Sequence, residues 1–397
     1  MRSRFKPIVF AFLVLCLLGW IGMIHSSMAQ DQVGPISGIS GKLAEIISST
    51  PRCAGEVTKG CINPEAPRGY LGIPGAPKPS YLIGLLWAIW VGWIFSTVGA
   101  FGGIMAGVGH ITIFGLANYA RSFKATNPPL NKFLTDSIRV SNQFLVGLSA
   151  LVSTINYAKM KRLIAPLGIA MGVGSVVGST LVPILTAGKI SLKAYLGYFG
   201  LAVFLVAGFM FYSTTERARA KRKAASEAAK RFEEAVKQKG DTSALGVRIQ
   251  CFTPATCEFT FSGVEFKFNP FMAALGGFFI AAMASFLGIG GGFLLVPFMT
   301  DILKLPMFIV AGTSALIVLI GMVVSIFNYM VIKGVMVWWP LIAVELIGIF
   351  VGSMIGPRTQ KYIPDVWLKR LFVLLAIYVG IRYTSKGFLG YSIVPPY

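Results

Sequence analysis

The chain predicts an all-α polytopic membrane protein built from two inverted repeats with glycine-broken helices. Three observations predict it: long apolar runs, two glycine clusters that align with each other inside those runs, and basic residues gathered beside the runs. Of the 397 residues, 55% are hydrophobic and 13% charged, about half the charged share of a soluble domain. Several runs reach the roughly 20 apolar residues that cross a bilayer. The formal net charge of +21 gathers in short segments next to apolar runs. It reads as positive-inside topology and contact with anionic lipids, so no nucleic-acid partner is expected.

Residues 1–29 start basic (Arg2, Arg4, Lys6), run apolar from Ile8 to Ile24 and end in SSMAQ with Ala29 before Gln30. They read as a signal peptide or as a retained N-terminal membrane anchor. Both place residue 30 onward outside the cytoplasm. Residues 30–80 form a Pro/Gly/Ser-rich extracytoplasmic segment, where Cys53 and Cys61 are candidates for a disulfide. Residues 81–213 make the first transmembrane repeat. It opens with an apolar region from Tyr81 to about Ala117, too long for one span. Residues 214–267 are a basic cytoplasmic insert. Within it Ala225, Ala228, Phe232 and Val236 recur at helical spacing, which suits either attachment to the inner leaflet or a solvated helical extension. The stretch 246–268 reads as a small strand-forming element. Residues 268–397 hold the second repeat and a C-terminal tail.

The repeats are read from paired positions. Ser96, Gly99, Gly102 and Gly103 meet Ser285, Gly288, Gly291 and Gly292 at one offset. STINY at 153–157 parallels SIFNY at 325–329, and Pro166, Gly174, Gly178, Ser179 and Pro183 parallel Pro340, Gly348, Gly352, Ser353 and Pro357. Lys159, Lys161, Arg162, Arg358, Lys361 and the insert are assigned to the cytoplasm. The first repeat then runs from outside to inside and the second from inside to outside, the inverted arrangement of many secondary transporters.

An apolar helix in lipid must satisfy its own backbone, so clustered glycines mark breaks there. Helices restarting near Gly103 and Gly291 would aim free N–H groups at an anion. The candidate substrate-binding residues are Gly99, Gly102, Gly103, Gly288, Gly290, Gly291 and Gly292, with Thr313 and Ser314 of AGTSAL and, at the matching place in the first repeat, Ser141 and Asn142. Glycines at close helix contacts are the structural alternative. Three residues are candidates for gating or coupling. Arg139 shares a helical face with Asp136 and Gln143. Glu345 lies in mid-span, where an ionisable group is expensive. His110 follows the first cluster. With two histidines in the chain and no clustered acids, neither a metal site nor a cofactor is expected. No nucleophile–base pair with recognisable spacing points to an enzyme.

With GIGGGFLLVPFM at 288–299, AGTSAL at 311–316 and the weaker echo from Ser96, the chain resembles the TauE/SafE sulfite exporter family over roughly residues 81–388. That resemblance implies a duplicated carrier of sulfur-containing or organic anions in the cell inner membrane. The first half departs from the family pattern: GAFGGIMAGVGH lacks three consecutive glycines, and RVSNQF stands where a Thr-Ser pair is expected. The expected function is a secondary transporter of a small anion. The alternative is a non-transporting assembly or partner protein that docks through its loops.

Overall fold

A computed structural model describes residues 39, 41–53, 60–99, 102–186, 192–221, 223–238, 245–287 and 292–394. The N-terminal anchor or signal peptide, and Gly288, Gly290 and Gly291, lie outside these residues. Among the described residues the helices are α1 (Gly41–Ser48), α2 (Tyr81–Val98), α3 (Gly102–Val108), α4 (Leu116–Ser122), α5 (Pro128–Lys159), α6 (Ala165–Thr186), α7 (Leu192–Ser213), α8 (Glu216–Lys221) and α9 (Lys223–Lys237). Three strands follow: β1 (Arg248–Phe252), β2 (Cys257–Phe261) and β3 (Val264–Phe268). Helices α10 (Pro270–Leu287), α11 (Gly292–Pro297), α12 (Met307–Phe327), α13 (Trp339–Gln360) and α14 (Asp365–Phe388) close the order. Among the described residues four helical stretches, Tyr81–Val98, Pro128–Lys159, Met307–Ile332 and Trp339–Gln360, are long and apolar enough to cross a membrane.

The element order recurs. Helices α2 and α10 each have 18 residues, and α6 and α13 each have 22. Short α3 and α11 both run into a π-helical turn, Gly109–Ile113 and Phe298–Ile302. At about 1.5 Å per residue, neither short helix with its turn reaches across a hydrocarbon core of about 30 Å. The apolar region after Tyr81 is therefore a full helix followed by a half-length one.

The residues divide into two compact units. The first comprises residues 1–88, 106–145 and 322–348. Its core joins Leu43 and Ile47 of α1 to Ile62, Tyr70 and Ile73, and to Leu116, Phe123, Leu130, Leu134 and Leu341. The described part of the Pro/Gly-rich segment is thus folded into this core. Cys53 and Cys61 form a disulfide in it, with Cα atoms 5.7 Å apart. Asn127 starts α5: its Oδ1 accepts from Leu130 N at 3.0 Å, and its Nδ2 donates to Ile46 O at 3.0 Å. Pro128 then occupies the first helical position, where a missing N–H costs nothing.

The second unit comprises residues 89–105, 146–321 and 349–397. Its helices approach through glycine. A Cβ on Gly178 would lie 2.3 Å from Phe278 O and 3.1 Å from Ala282 N. A Cβ on Gly352 would lie 2.0 Å from Ile89 O and 2.8 Å from Trp93 N. The two contacts correspond: Gly178 of α6 meets the backbone of α10 as Gly352 of α13 meets that of α2. Close backbone approach at small residues is how helices associate without a hydrophobic driving force in lipid.

The basic insert docks onto this unit. Strands β1, β2 and β3 form an antiparallel sheet in that order. Ser262 and Gly263 make the β2–β3 turn with φ of 52° and 72°, the double left-handed conformation of a tight hairpin. Ala225, Ala228, Ala229 and Phe232 of α9 are buried. Phe232 packs on Phe261 at 5.6 Å and on Phe308 at 4.8 Å between ring centroids. These residues of α9 are therefore covered by protein. Glu233 Oε1 accepts from Asp365 N at 3.0 Å, and Asp365 Oδ1 accepts from Met307 N at 2.7 Å. The insert thereby caps α14, and α14 caps α12.

Candidate functional site

The residues singled out in the sequence separate into two groups, one in each unit. In the second unit, α2 ends at Val98 and Gly99 follows at φ +96°. Only glycine holds that conformation without strain. A Cβ there would meet Ser314 Oγ at 2.6 Å and Val296 Cγ2 at 3.1 Å. Gly99 and Ser314 are thus brought together. Gly102 and Gly103 open α3, and Gly292 opens α11. Thr313 is already engaged: its hydroxyl donates to Ile309 O at 2.8 Å and accepts from Ile164 N at 3.1 Å. Ser314 Oγ donates to Ala311 O at 3.0 Å. Thr313 therefore holds the start of α6, a structural task that its place in AGTSAL does not reveal.

The same unit buries Arg162, which the sequence marks only as a topology signal. Its Nε donates to Phe308 O at 3.2 Å and one terminal nitrogen to Pro357 O at 3.4 Å; the other terminal nitrogen donates to Gln360 Oε1. The rings of Tyr157, Phe232 and Phe308 lie 5.1, 5.2 and 5.7 Å from its guanidinium carbon. Gln360 Nε2 in turn donates to Thr97 O at 2.8 Å, and the Tyr157 hydroxyl to Ser96 O at 2.6 Å. This network braces the C-terminal end of α2 just before Gly99.

In the first unit, His110, Asn142 and Glu345 converge. His110 Nδ1 lies 2.6 Å from Asn142 Oδ1. Its Nε2 lies 3.0 Å from Glu345 Oε2, with both side chains 1% exposed or less. That separation is an ion-pair distance without hydrogen-bond alignment, and neither Glu345 oxygen has a hydrogen-bond partner among the described residues. His110 also makes a hydrogen bond with the Ala106 backbone, and apolar groups pack alongside. A Cβ on Gly84 would lie 3.2 Å from Leu341 and 3.5 Å from Glu345 Cγ. The Phe114 ring meets the His110 ring edge-on at 5.8 Å. The π-helical turn after α3, with α5 and α13, brings the three polar groups together.

Ser141, next to Asn142, serves a different partner. The Tyr70 hydroxyl lies 2.9 Å from Ser137 Oγ and 3.4 Å from Ser141 Oγ. Ser137 Oγ donates to Met336 O at 2.6 Å. Burial pushes the Tyr70 phenol up to about 12; its two serine contacts oppose this, and the charge of Glu345 adds to it. Arg139 is 45% exposed and donates to Asp136 Oδ1 at 3.1 Å and to the Tyr329 hydroxyl at 2.7 Å. The Lys333 ammonium sits 4.2 Å from the Tyr329 ring centroid. Among the described residues no group of histidine, cysteine, aspartate and glutamate could hold a metal ion.

Comparisons with known proteins agree with this architecture. The family model for the sulfite exporter TauE/SafE matches residues 84–383. A probable membrane transporter protein of Methanocaldococcus jannaschii is 31% identical over 131 residues, which cover 31% of this chain and 48% of that relative. The chain thus matches about half the length of that relative. No solved structure matches. The matched segment takes in the break at Gly99 and the buried His110–Glu345 pair, and on that match the chain belongs to the sulfite exporter TauE/SafE family of membrane transporters.

Proposed function

We propose that the protein is a secondary transporter, not an enzyme, and that it moves a small sulfur-containing oxyanion or organosulfonate across the bacterial inner membrane, most simply by exporting sulfite. The observation that carries the reading is the break at Gly99. An apolar helix ends there in a left-handed glycine pressed against Ser314 Oγ, and a half-length helix restarts at Gly102. Non-helical backbone is tolerated at membrane depth only where protein or a cavity covers it, and paired interruptions mark transporter binding sites. The repeats are inverted in this reading, with residues 30–80 periplasmic and 214–267 cytoplasmic. The Cys53–Cys61 disulfide supports an oxidising compartment for the first segment. A negative cell interior drives export, contributing roughly 2.3 kcal/mol per charge per 100 mV.

The test is flux in proteoliposomes with sulfite, thiosulfate, sulfate, sulfoacetate and a carboxylate, at imposed potentials. Sulfite or a sulfonate should move fastest, and an inside-negative potential should speed its exit. Gly99→Ala should slow flux at least tenfold, because its Cβ meets Ser314 at a strained φ. Absence of flux for every anion would end the reading.

A further inference from the structure

We infer that His110, Glu345 and Asn142 form a proton-coupling site, and that the proton bound there crosses the membrane in the same direction as the anion. The inference rests on the transport reading above and names how that transport is coupled.

Asn142 Oδ1 is an acceptor only, so the 2.6 Å contact places a proton on His110 Nδ1. The opposite nitrogen then faces Glu345 Oε2 at 3.0 Å. If Nε2 and the carboxylate were both unprotonated, two lone pairs and a full negative charge would meet with both side chains buried. One proton between them removes both penalties, whether it sits on the imidazole or on the carboxyl. The arrangement is therefore a one-proton site. Its neighbours offer no substitute for that proton. Among the described groups packed on it, Phe114, Gly84 and Leu341 are apolar. The Tyr70 phenol, which senses the Glu345 charge, is neutral at physiological pH. Asp136, Arg139 and Lys333 of the same unit pair with one another and with Tyr329 instead.

Glu345 Oε1 is buried and has no hydrogen-bond partner. A buried carboxylate left in that condition is a poor structural element, and an intramembrane ionisable group with one exchangeable partner suits a relay. The direction follows from charge. A carrier that holds an anion within hydrocarbon has the lowest desolvation cost when a proton is bound in the same state. Anion and proton are therefore loaded together and released together. For a dianion, one accompanying proton leaves one net negative charge, so the membrane potential still favours export.

The experiment uses full-length protein in liposomes with a trapped pH dye and sulfite as the anion. In the unaltered protein, sulfite exit should carry protons outward with it, and an acidic lumen should speed exit. Glu345→Gln should retain sulfite exchange between two equal pools while losing proton movement at least tenfold; His110→Asn should do the same. Sulfite flux without proton movement in the unaltered protein overturns the inference. So does unchanged proton movement in either variant, or loss of exchange in a variant that remains monodisperse in detergent. Infrared difference spectra of the purified protein, titrated across neutral pH, give a second readout that needs no flux. A carboxyl or imidazole signal should be present in the unaltered protein and absent from both variants. Its persistence in both overturns the inference, whereas failure of flux alone overturns only the transport reading.

Discussion

Two buried charges invite comparison, Glu345 in one unit and Arg162 in the other. Both are nearly excluded from solvent, and neither meets a full complement of opposite charge. Their surroundings differ. Arg162 spends its donors on two backbone carbonyls and an amide oxygen and is sandwiched by aromatic rings. Glu345 touches one imidazole nitrogen and leaves an oxygen without a partner. A guanidinium with its fork filled is a brace; a carboxylate with spare acceptors is a site whose proton occupancy can change. Burial of charge alone does not identify function, whereas incomplete satisfaction does.

The largest effect should come from breaking the brace. Arg162→Met would strand Gln360 Oε1, remove the donors to the Phe308 and Pro357 carbonyls and remove the stacking on Tyr157. Removing one member of such a buried set costs about 3–5 kcal/mol, read as a lowered thermal unfolding midpoint in detergent. Glu345→Gln should behave oppositely. It removes a poorly solvated charge and should leave stability within about 1 kcal/mol of the unaltered protein or raise it. If Glu345→Gln proved as damaging as Arg162→Met, the distinction between brace and proton site would fall.

The two charges were also unequally legible in the sequence. Glu345 stands out because it interrupts an apolar span. His110 and Asn142 are also legible, one after the first glycine cluster and one at the place matched to Thr313 and Ser314, but nothing local ties residues on three separate elements into one group with Glu345. Arg162 follows Lys159 and Lys161 and is absorbed into the positive-inside pattern, which hides that it folds back under Phe232. The fold was more readable. The long apolar runs announced the membrane-length helices, and glycine marked where helices break or approach closely. The sequence does not show that Ser141 also meets Tyr70 or that Thr313 accepts from a backbone N–H. A hydroxyl carries no mark of which partner it will find.

The repeat-related contacts give an intermediate effect and sharpen the comparison at the level of helices. In Gly178→Ala the new methyl would press on Phe278 O, and in Gly352→Ala on Ile89 O, both backbone atoms. Neither neighbour can rotate away, so each helix pair must separate. Overpacking of this kind costs about 1–3 kcal/mol, and the two variants should lose similar amounts. Gly208→Ala in α7 meets nothing within 4 Å and should be neutral or gain up to about 1 kcal/mol from helix propensity. Unequal losses at Gly178 and Gly352 would show that the two interfaces do different jobs despite matching geometry.

The smallest effect belongs to Tyr70, which borders the Glu345 site without entering it. Tyr70→Phe removes the contacts to Ser137 and Ser141, but Ser137 keeps Met336 O and Ser141 keeps Ser137 O. The loss should be about 1 kcal/mol at neutral pH. The sign of its pH dependence is set by the raised phenol. The folded protein holds Tyr70 neutral to about 12, whereas the unfolded chain ionises it near 10. Its contribution is fully present below pH 10 and is lost as pH rises toward about 12. Tyr70→Phe should therefore flatten that alkaline limb of the unfolding curve and leave the neutral and acid limbs parallel to the unaltered protein. It should also leave proton movement with sulfite unchanged, because the phenol does not titrate in the working range. A variant that altered coupling at neutral pH would move Tyr70 from the border of the proton site into its relay.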